Sequence, residues 1–303
     1  MIRIVTRNSK LALWQAEFIS QKLKEGGLDS TLIPISTKGD KILDVTLSKI
    51  GSKGVFTEEL EQLLANNEAD IAVHSAKDLQ STLPTDFEIL AFSEREKVND
   101  VLVSQMALDL NQPLVIGTSS TRRVAYLKHQ FSHFKVVDMR GNLQTRISKM
   151  ERGDCDALLL AYAGVHRMGY SDMIQHVFDS ENFTPAVGQG SLAIECHHSL
   201  NPSLQHKIRL ILNHTETAEC VTAERAYLAA MNGGCSIPVF GYAKKHEGTI
   251  TLSAGIIDLK GLVKLQETLH GEDPIALGIQ MGNKILSKGG DKILKEIKEQ
   301  LNQ

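Results

Sequence analysis

Ile2-Arg3-Ile4-Val5 leads through the polar turn Thr6-Arg7-Asn8-Ser9 into Leu11-Ala12-Leu13-Trp14-Gln15 and on to Lys24. The first segment is short and largely apolar, as a buried strand would be, whereas Leu11, Trp14 and Phe18 recur at helical spacing. Gly26-Gly27 ends that helix, and Thr31–Ile35 makes a second strand. A strand, a crossing helix and a strand predict a parallel pair and an α/β fold. Arg7 and Ser9 then occupy the turn outside the carboxyl end of the first strand, where open α/β sheets bind ligands. Position alone leaves Arg7 open between a ligand contact and a solvated charge.

The same arrangement recurs along the chain. Thr37 to Gly54 is polar and punctuated by glycine, which predicts a mobile loop. Thr57 is placed to cap the next helix, with Glu58 and Glu59 complementing its dipole and Leu60, Leu63 and Leu64 facing inward. Asp70–Val73 reads as a compact strand that empties into His74-Ser75-Ala76-Lys77-Asp78, a density of polar groups that favours a site over a plain surface turn. Near Glu94-Arg95-Glu96-Lys97 a new unit begins. The apolar run Leu114–Ile116 leads into Gly117-Thr118-Ser119-Ser120-Thr121 and a helix from Arg122 to His129. Free backbone N–H groups, hydroxyls and the positive end of a helix dipole converge there on a ready anion site. Arg122 and Arg123 are electrostatically unfavourable in that first turn, and a bound anion would compensate them. No Walker pattern is present, so a nucleotide is not indicated. Lys135–Met139 is a further strand, with Arg140-Gly141-Asn142 at its exit and Arg146 in the following helix. Cys155-Asp156-Ala157-Leu158-Leu159, leading towards Arg167, echoes Ala69–Val73; two related α/β halves facing across a cleft would explain the echo.

Pro185-Ala186-Val187-Gly188-Gln189-Gly190 is rich in turn residues and precedes the strand Leu192–Glu195, suggesting a crossing back to the first half. Beyond the helical Leu204–Leu212 and Ala218–Ala230 comes Asn232-Gly233-Gly234-Cys235-Ser236-Ile237-Pro238. A cysteine in such a turn has little cover, and the loop alone leaves Cys235 open between an inert thiol and a nucleophile or attachment point. Gly241–Ala243, Thr249–Ile257 and Leu262–Leu269 alternate like an antiparallel sheet with a turn at Asp258–Gly261. Helical patterns at Ile275–Leu286 and Ile293–Leu301 complete a small α+β unit. His197, His198 and His246 lack a metal-ligand spacing and read as surface or packing histidines, so no metal is expected.

The totals bound the reading. At 303 residues the chain is long enough for two or three domains, and 42% hydrophobic with 23% charged residues is an ordinary globular composition. A formal net charge of −3, without aromatics interleaved among the basic residues, argues against nucleic-acid binding. Four cysteines with no CxxC pair suit a reducing compartment. With neither a signal-peptide pattern nor an apolar run of about 18 residues, a cytoplasmic location is expected.

Collected, the strand exits offer Arg7, Lys77, Arg122, Arg123, Arg140, Arg146 and Arg167 among small hydroxyl residues, with Asp78 as the one well-placed carboxylate. Guanidinium forks suit carboxylates in bidentate pairs, so the ligand should carry several. At this point the sequence resembles the porphobilinogen deaminase (hydroxymethylbilane synthase) family. The resemblance rests on Thr6-Arg7-Asn8-Ser9 with Leu11–Gln15, on His74–Asp78, and on Gly117-Thr118-Ser119-Ser120 with Arg122-Arg123. It continues through Arg140-Gly141-Asn142, Pro185–Gly190 and Gly233-Gly234-Cys235. These runs span nearly the whole chain in the family's order.

The resemblance implies two doubly wound, periplasmic-binding-protein-like domains around a cleft, plus a smaller α+β C-terminal domain with an antiparallel sheet. Residues 1–95 with 190–210 would carry the catalytic aspartate, 98–187 the arginines and 214–303 the cofactor cysteine. It implies a dipyrromethane cofactor joined to Cys235 through a thioether, and head-to-tail condensation of four porphobilinogen molecules, with loss of ammonia, before hydrolytic release of linear hydroxymethylbilane. Asp78 would handle protons. Arg7, Ser9, Gln15, Ser75, Lys77, Thr118, Ser119, Ser120, Arg122, Arg123, Arg140, Arg146, Arg167 and Gln189 would bind cofactor and substrate, in a monomer. Ala76, Gln80, Thr121 and Gln144 depart from the usual family pattern without removing a charged or nucleophilic group.

A two-lobed binding or sensor protein for a small anion is the alternative, since it gives the same strand-exit turns without chemistry. It predicts no covalent adduct. A cysteine hydrolase would need a histidine poised beside Cys235, and the sequence names no candidate.

Overall fold

The computed structural model describes residues 1–41, 57–234 and 236–301. The chain begins with β1 (Ile2–Arg7), β2 (Ser30–Ile35), β3 (Ile71–Ser75) and β4 (Phe87–Phe92). It then crosses into a second sheet through β5 (Asp100–Val103), β6 (Val115–Gly117), β7 (Lys135–Val137), β8 (Ala157–Ala161) and β9 (Ile174–Val177). Next, β10 (Leu192–His197) returns to the first sheet, as the turn-rich Pro185–Gly190 suggested.

The strand orders are β2-β1-β3-β10-β4 and β7-β6-β8-β5-β9. Each has a parallel trio, centred on β1 in the first and on β6 in the second. Each also has one strand running against its neighbours, and in both sheets that strand, β10 or β5, follows a crossing between the units. The echo in the sequence is therefore a repeated topology.

Alternation along the strands puts apolar side chains on both faces, and helices cover both. In β1, Ile2 and Ile4 pack with Ile19, Leu23 and Ile208 of the helices Lys10–Glu25 and Pro202–Leu212. Val5 faces the other way, against Leu60 and Leu64 of the helix Glu58–Ala65. In β8, Ala157 and Leu159 join Tyr126 of the helix Thr121–Gln130, whereas Leu158 and Leu160 join Ile147 and Met150 of the helix Leu143–Glu151. This is the doubly wound arrangement expected, repeated in two units of like strand order.

The third unit is the antiparallel sheet of β11 (Val239–His246), β12 (Thr249–Ile257) and β13 (Lys264–Gly271), packed on the helices Thr215–Ala230 and Pro274–Ile285. The turn after β12 is closed by Gly261 N–H donating to the Asp258 carbonyl at 3.0 Å.

Two elements differ from the sequence reading. The edge strands β4 and β9 were not anticipated. Thr57 precedes its helix in α-like geometry and does not cap it; its hydroxyl instead accepts a hydrogen bond from Gln80 Nε2 at 3.2 Å. Of the expected polar loop, residues 42–54 lie outside the described residues.

Candidate active site

The exits of β6 and β7 make one wall of a cleft. Thr118 is buried, and its hydroxyl accepts from Ser120 N–H at 3.3 Å, while Ser119 Oγ accepts from Met139 N–H at 3.1 Å. These bonds fix the turn before the helix Thr121–Gln130. Ser120 stands at the N-cap without a side-chain hydrogen bond to the helix, so the first-turn N–H groups are not capped by it, at a turn that lines the cleft. Arg140 follows β7. Gly141 takes φ 111°, and Asn142 caps the next helix by accepting from Thr145 N–H at 2.9 Å. Arg146 in that helix donates from Nε to the Gly141 carbonyl at 2.8 Å. Burial first, then the charge of Arg123, lowers its pKa to about 10 against the opposing pull of Asp78 and Asp138.

The charge problem posed by Arg122 and Arg123 is solved inside the protein. Asp100, at 0% exposure on β5, accepts from Arg122 Nη2 at 2.7 Å and from Arg123 Nε and Nη2 at 2.9 and 2.7 Å. The compensating anion expected from a ligand is thus a carboxylate of the chain itself. Arg122 also donates to the Thr184 carbonyl, and Arg123 to that of Leu159. Burial alone would push the Asp100 carboxyl up; the two guanidiniums outweigh it and hold it below the ordinary carboxylate range. Both arginines line the cleft with their charge already shared.

The opposite wall is the turn after β3. Ser75 ends the strand, and Ala76–Asp78 forms one turn of 3₁₀ helix. Ala76 and Leu79 are buried, so their anchoring leaves Lys77 half-buried and Asp78 exposed at the cleft surface. Gly188, at φ 73°, lies against this turn: an added Cβ would come within 2.9 Å of the Ala76 carbonyl carbon and 3.1 Å of Lys77 N. Burial first, then Arg123, brings Lys77 down to about 8, with Asp78 and Asp100 opposing. Its Nζ reaches Gln189 Oε1 at 3.5 Å, and Gln189 Nε2 donates to the Val98 carbonyl at 2.6 Å and to Asp100 at 3.1 Å. Gln189 thereby links the two walls.

The floor comes from the crossing segment and the third unit. Glu224 is fully buried in the helix Thr215–Ala230; it receives both terminal nitrogens of Arg95, at 2.6 and 3.0 Å, and the N–H groups of Gly188 and Ala243, each at 2.8 Å. This knot fixes Pro185–Gly190 over the helix that runs into Asn232-Gly233-Gly234, and all three of these loop residues line the cleft. Cys235, the next residue, lies outside the described residues.

The cleft measures about 1310 Å³, larger than the roughly 300–1,000 Å³ of drug-sized ligand sites. It brings together Lys77, Asp78, Thr118, Ser119, Ser120, Arg122, Arg123, Arg140, Arg146 and Gln189. Arg7, Ser9, Gln15, Ser75 and Arg167 are not among its lining residues. Ser9 caps its helix by accepting from Ala12 N–H at 3.3 Å, and Gln15 Nε2 donates to Ser75 Oγ at 2.9 Å. Arg167 donates to the Gly190 carbonyl at 2.7 Å and lies over the Trp14 ring at 5.6 Å, a contact between the two units. Arg7 is the last residue of β1. Asp100, Arg95 and Glu224 were not singled out from the sequence; their partners lie 22, 23 and 129 positions away, beyond any local pattern.

Comparison with known proteins shows the family. The family description "Porphobilinogen deaminase, dipyromethane cofactor binding domain" matches residues 2–204, and "Porphobilinogen deaminase, C-terminal domain" matches residues 218–287. A curated porphobilinogen deaminase of Cytophaga hutchinsonii is 51% identical over 307 residues, covering 100% of this chain and 98% of that protein. One of Desulfosudis oleivorans is 47% identical over 305 residues, covering 99% and 98%. A solved putative methionine-binding lipoprotein of Bacillus subtilis is 10% identical with a TM-score of 0.44, covering 71% of this chain and 91% of that one, too distant to bear on function.

Proposed function

The chain belongs to the porphobilinogen deaminase family, and on that premise we propose how its own residues share the reaction. It is an enzyme of tetrapyrrole biosynthesis, a hydroxymethylbilane synthase, and its cofactor is dipyrromethane. The observation that carries the assignment of roles is that a single cleft contains Asp78, a set of lysine and arginine side chains, and the glycines that precede Cys235.

The donor set fits the cofactor's chemistry. Pyrrole rings bearing acetate and propionate groups need cations and hydroxyl or amide donors along a trough. Lys77, Arg140, Arg146, Thr118, Ser119 and the uncapped start of the helix Thr121–Gln130 supply them. Cys235 holds the group through its sulfur, and Gly233-Gly234 bring the chain to the cleft edge. When bound, dipyrromethane would supply the free pyrrole α-carbon to which the first porphobilinogen is joined. Arg122 and Arg123, locked on Asp100, turn their remaining positive potential towards the carboxylates. Asp78 stabilises the positive charge on the substrate's pyrrole nitrogen as ammonia leaves, and its carboxylate then takes up the proton displaced by C–C bond formation. Arg7 and Arg167, beside the first unit's opening turn and helix, take carboxylates of incoming porphobilinogen; Ser9, Gln15 and Ser75 hold the turns around them.

Residues 1–95 with 190–210, 98–187 and 214–303 act as three units, carrying in turn the proton-handling aspartate, the anion-binding arginines and the cofactor sulfur. The protein works as a cytoplasmic monomer without nucleic acid, a reading supported by its net charge of −3 and cysteine usage. Among the described residues no helix is long and apolar enough to cross a membrane. The test is the intact mass of purified protein beside Cys235→Ser. The parent should exceed its sequence mass by two pyrrole units and the variant should not; an equal excess on both would remove Cys235 from the assignment.

A further inference from the structure

Behind the Lys77–Asp78 turn lies a buried ionisable group that the reaction does not use. Glu195, at 0% exposure, sits on β10 between β3 and β4. It pairs in register with Ala72 of β3, so its side chain shares a sheet face with His74 two residues further on. His74 is 6% exposed, and its Nε2 lies 2.9 Å from Glu195 Oε2. That contact is an ion pair in distance but is not aligned as a hydrogen bond, and among the described residues neither oxygen of Glu195 receives one. A buried carboxylate held this way adds little to stability, and an apolar residue would pack there more cheaply. The charge therefore calls for another role.

Its neighbours indicate which. Arg225, on the helix that runs to the cysteine loop, donates from Nη2 to the Gln80 carbonyl at 2.8 Å, and burial brings its pKa down to about 10 against the opposing pull of Glu195. Gln80 Nε2 in turn bonds Thr57 Oγ1 at 3.2 Å and approaches Glu61 Oε1 at 3.5 Å. His74 is the residue before the Ser75–Asp78 segment, and Gln80 is the second residue after it. We propose that Glu195 is a positioning residue for the Lys77–Asp78 turn: through His74 at its entry and Arg225 at its exit, it holds Asp78 in place at the cleft without touching substrate. The acidic group facing Glu195 across the sheet-to-helix gap is Glu61, and the His74 ring and the Arg225 guanidinium are the basic groups beside it. The same arrangement couples the turn to the helix that carries the cofactor loop. The turn that carries Asp78 and the helix that leads to Gly233-Gly234 are thereby set relative to each other by one buried charge.

Glu195→Gln keeps the shape and removes the charge. In the holoenzyme, kcat per cofactor-loaded molecule should fall about 10- to 100-fold while the porphobilinogen KM stays within about threefold. Backbone amide exchange at 76–80 should quicken roughly tenfold. Adding His74→Gln should cost little more, because both changes break one unit. Both readouts must move: a parent-like kcat, or parent-like exchange at 76–80, overturns the inference. Should Glu195→Gln not accumulate as folded protein, Arg225→Gln reads the exit end by the same two measurements and the same criterion. The inference rests on the role given to Asp78. A parent-like Asp78→Ala would defeat that role, whereas unquickened exchange at 76–80 in Glu195→Gln would defeat the positioning claim alone.

Discussion

The first and second sheets share one strand order, β2-β1-β3-β10-β4 against β7-β6-β8-β5-β9, yet their strand exits carry different side chains. In the first unit the helix after β1 is tied to the exit of β3 through the Gln15–Ser75 bond, Ser9 caps that helix, and the β3 exit presents Lys77 and an exposed carboxylate, Asp78. In the second unit the exits of β6 and β7 present hydroxyls, an uncapped helix start and four arginines. The backbone scaffold is duplicated; in the proposed mechanism the side chains at equivalent turns decide that one unit moves protons and the other holds anions. A repeated fold therefore fixes where chemistry can occur and leaves open which chemistry it is.

That contrast breaks most visibly at Asp78. Asp78→Ala should retain the cofactor mass and lose about 10²- to 10⁴-fold in kcat, the usual contribution of a positioned acid–base group. A steady-state rate near the parent's would end the proton-handling role of the first unit. Next in size is the internal anion of the second unit. Asp100→Asn leaves Arg122 and Arg123 without their buried partner and should lower stability by about 3–5 kcal/mol, read as the urea midpoint. An unchanged midpoint would mean the arginine pair is balanced by something other than Asp100.

Smaller effects sharpen the division. Arg146→Gln removes a cation from the anion-holding wall while leaving Asp78 intact. It should raise the porphobilinogen KM roughly tenfold with a lesser change in kcat, as loss of one charge-assisted hydrogen bond would. The reverse pattern, kcat falling at constant KM, would blur the two roles. Lys77 should show the mildest signature. Burial and Arg123 hold it down to about 8, favouring the neutral amine, whereas a bound carboxylate favours the ammonium. Affinity is therefore full below about pH 8 and weakens as pH rises through that value. A KM-against-pH profile should show a rise of a few fold there, and Lys77→Gln should flatten it.

How much of this was readable beforehand follows from the range of each interaction. Strand exits and the hydroxyl-rich turn at Thr118–Ser120 are local events, and their residues announce them. The edge strands escaped notice for local reasons too. β9, Ile174-Gln175-His176-Val177, is only four residues long, and β4 lacks clean alternation, with partly buried residues at its start and buried ones at its end. The pairings that balance the site are different. Arg95 meets Glu224 across 129 positions and Gln15 meets Ser75 across 60, so no window of sequence contains both partners. Reading Arg122 and Arg123 as cations awaiting an anion was sound electrostatics, but the nearest anion proved to be a side chain 22 and 23 positions earlier.

The most direct test of the division between the two units is the intact mass of the holoenzyme and of Asp78→Asn after each is mixed with porphobilinogen. The parent should gain successive pyrrole units, while the variant should carry its two-pyrrole cofactor and gain none on the same timescale. A variant that lengthens its chain at the parent's rate would contradict the account.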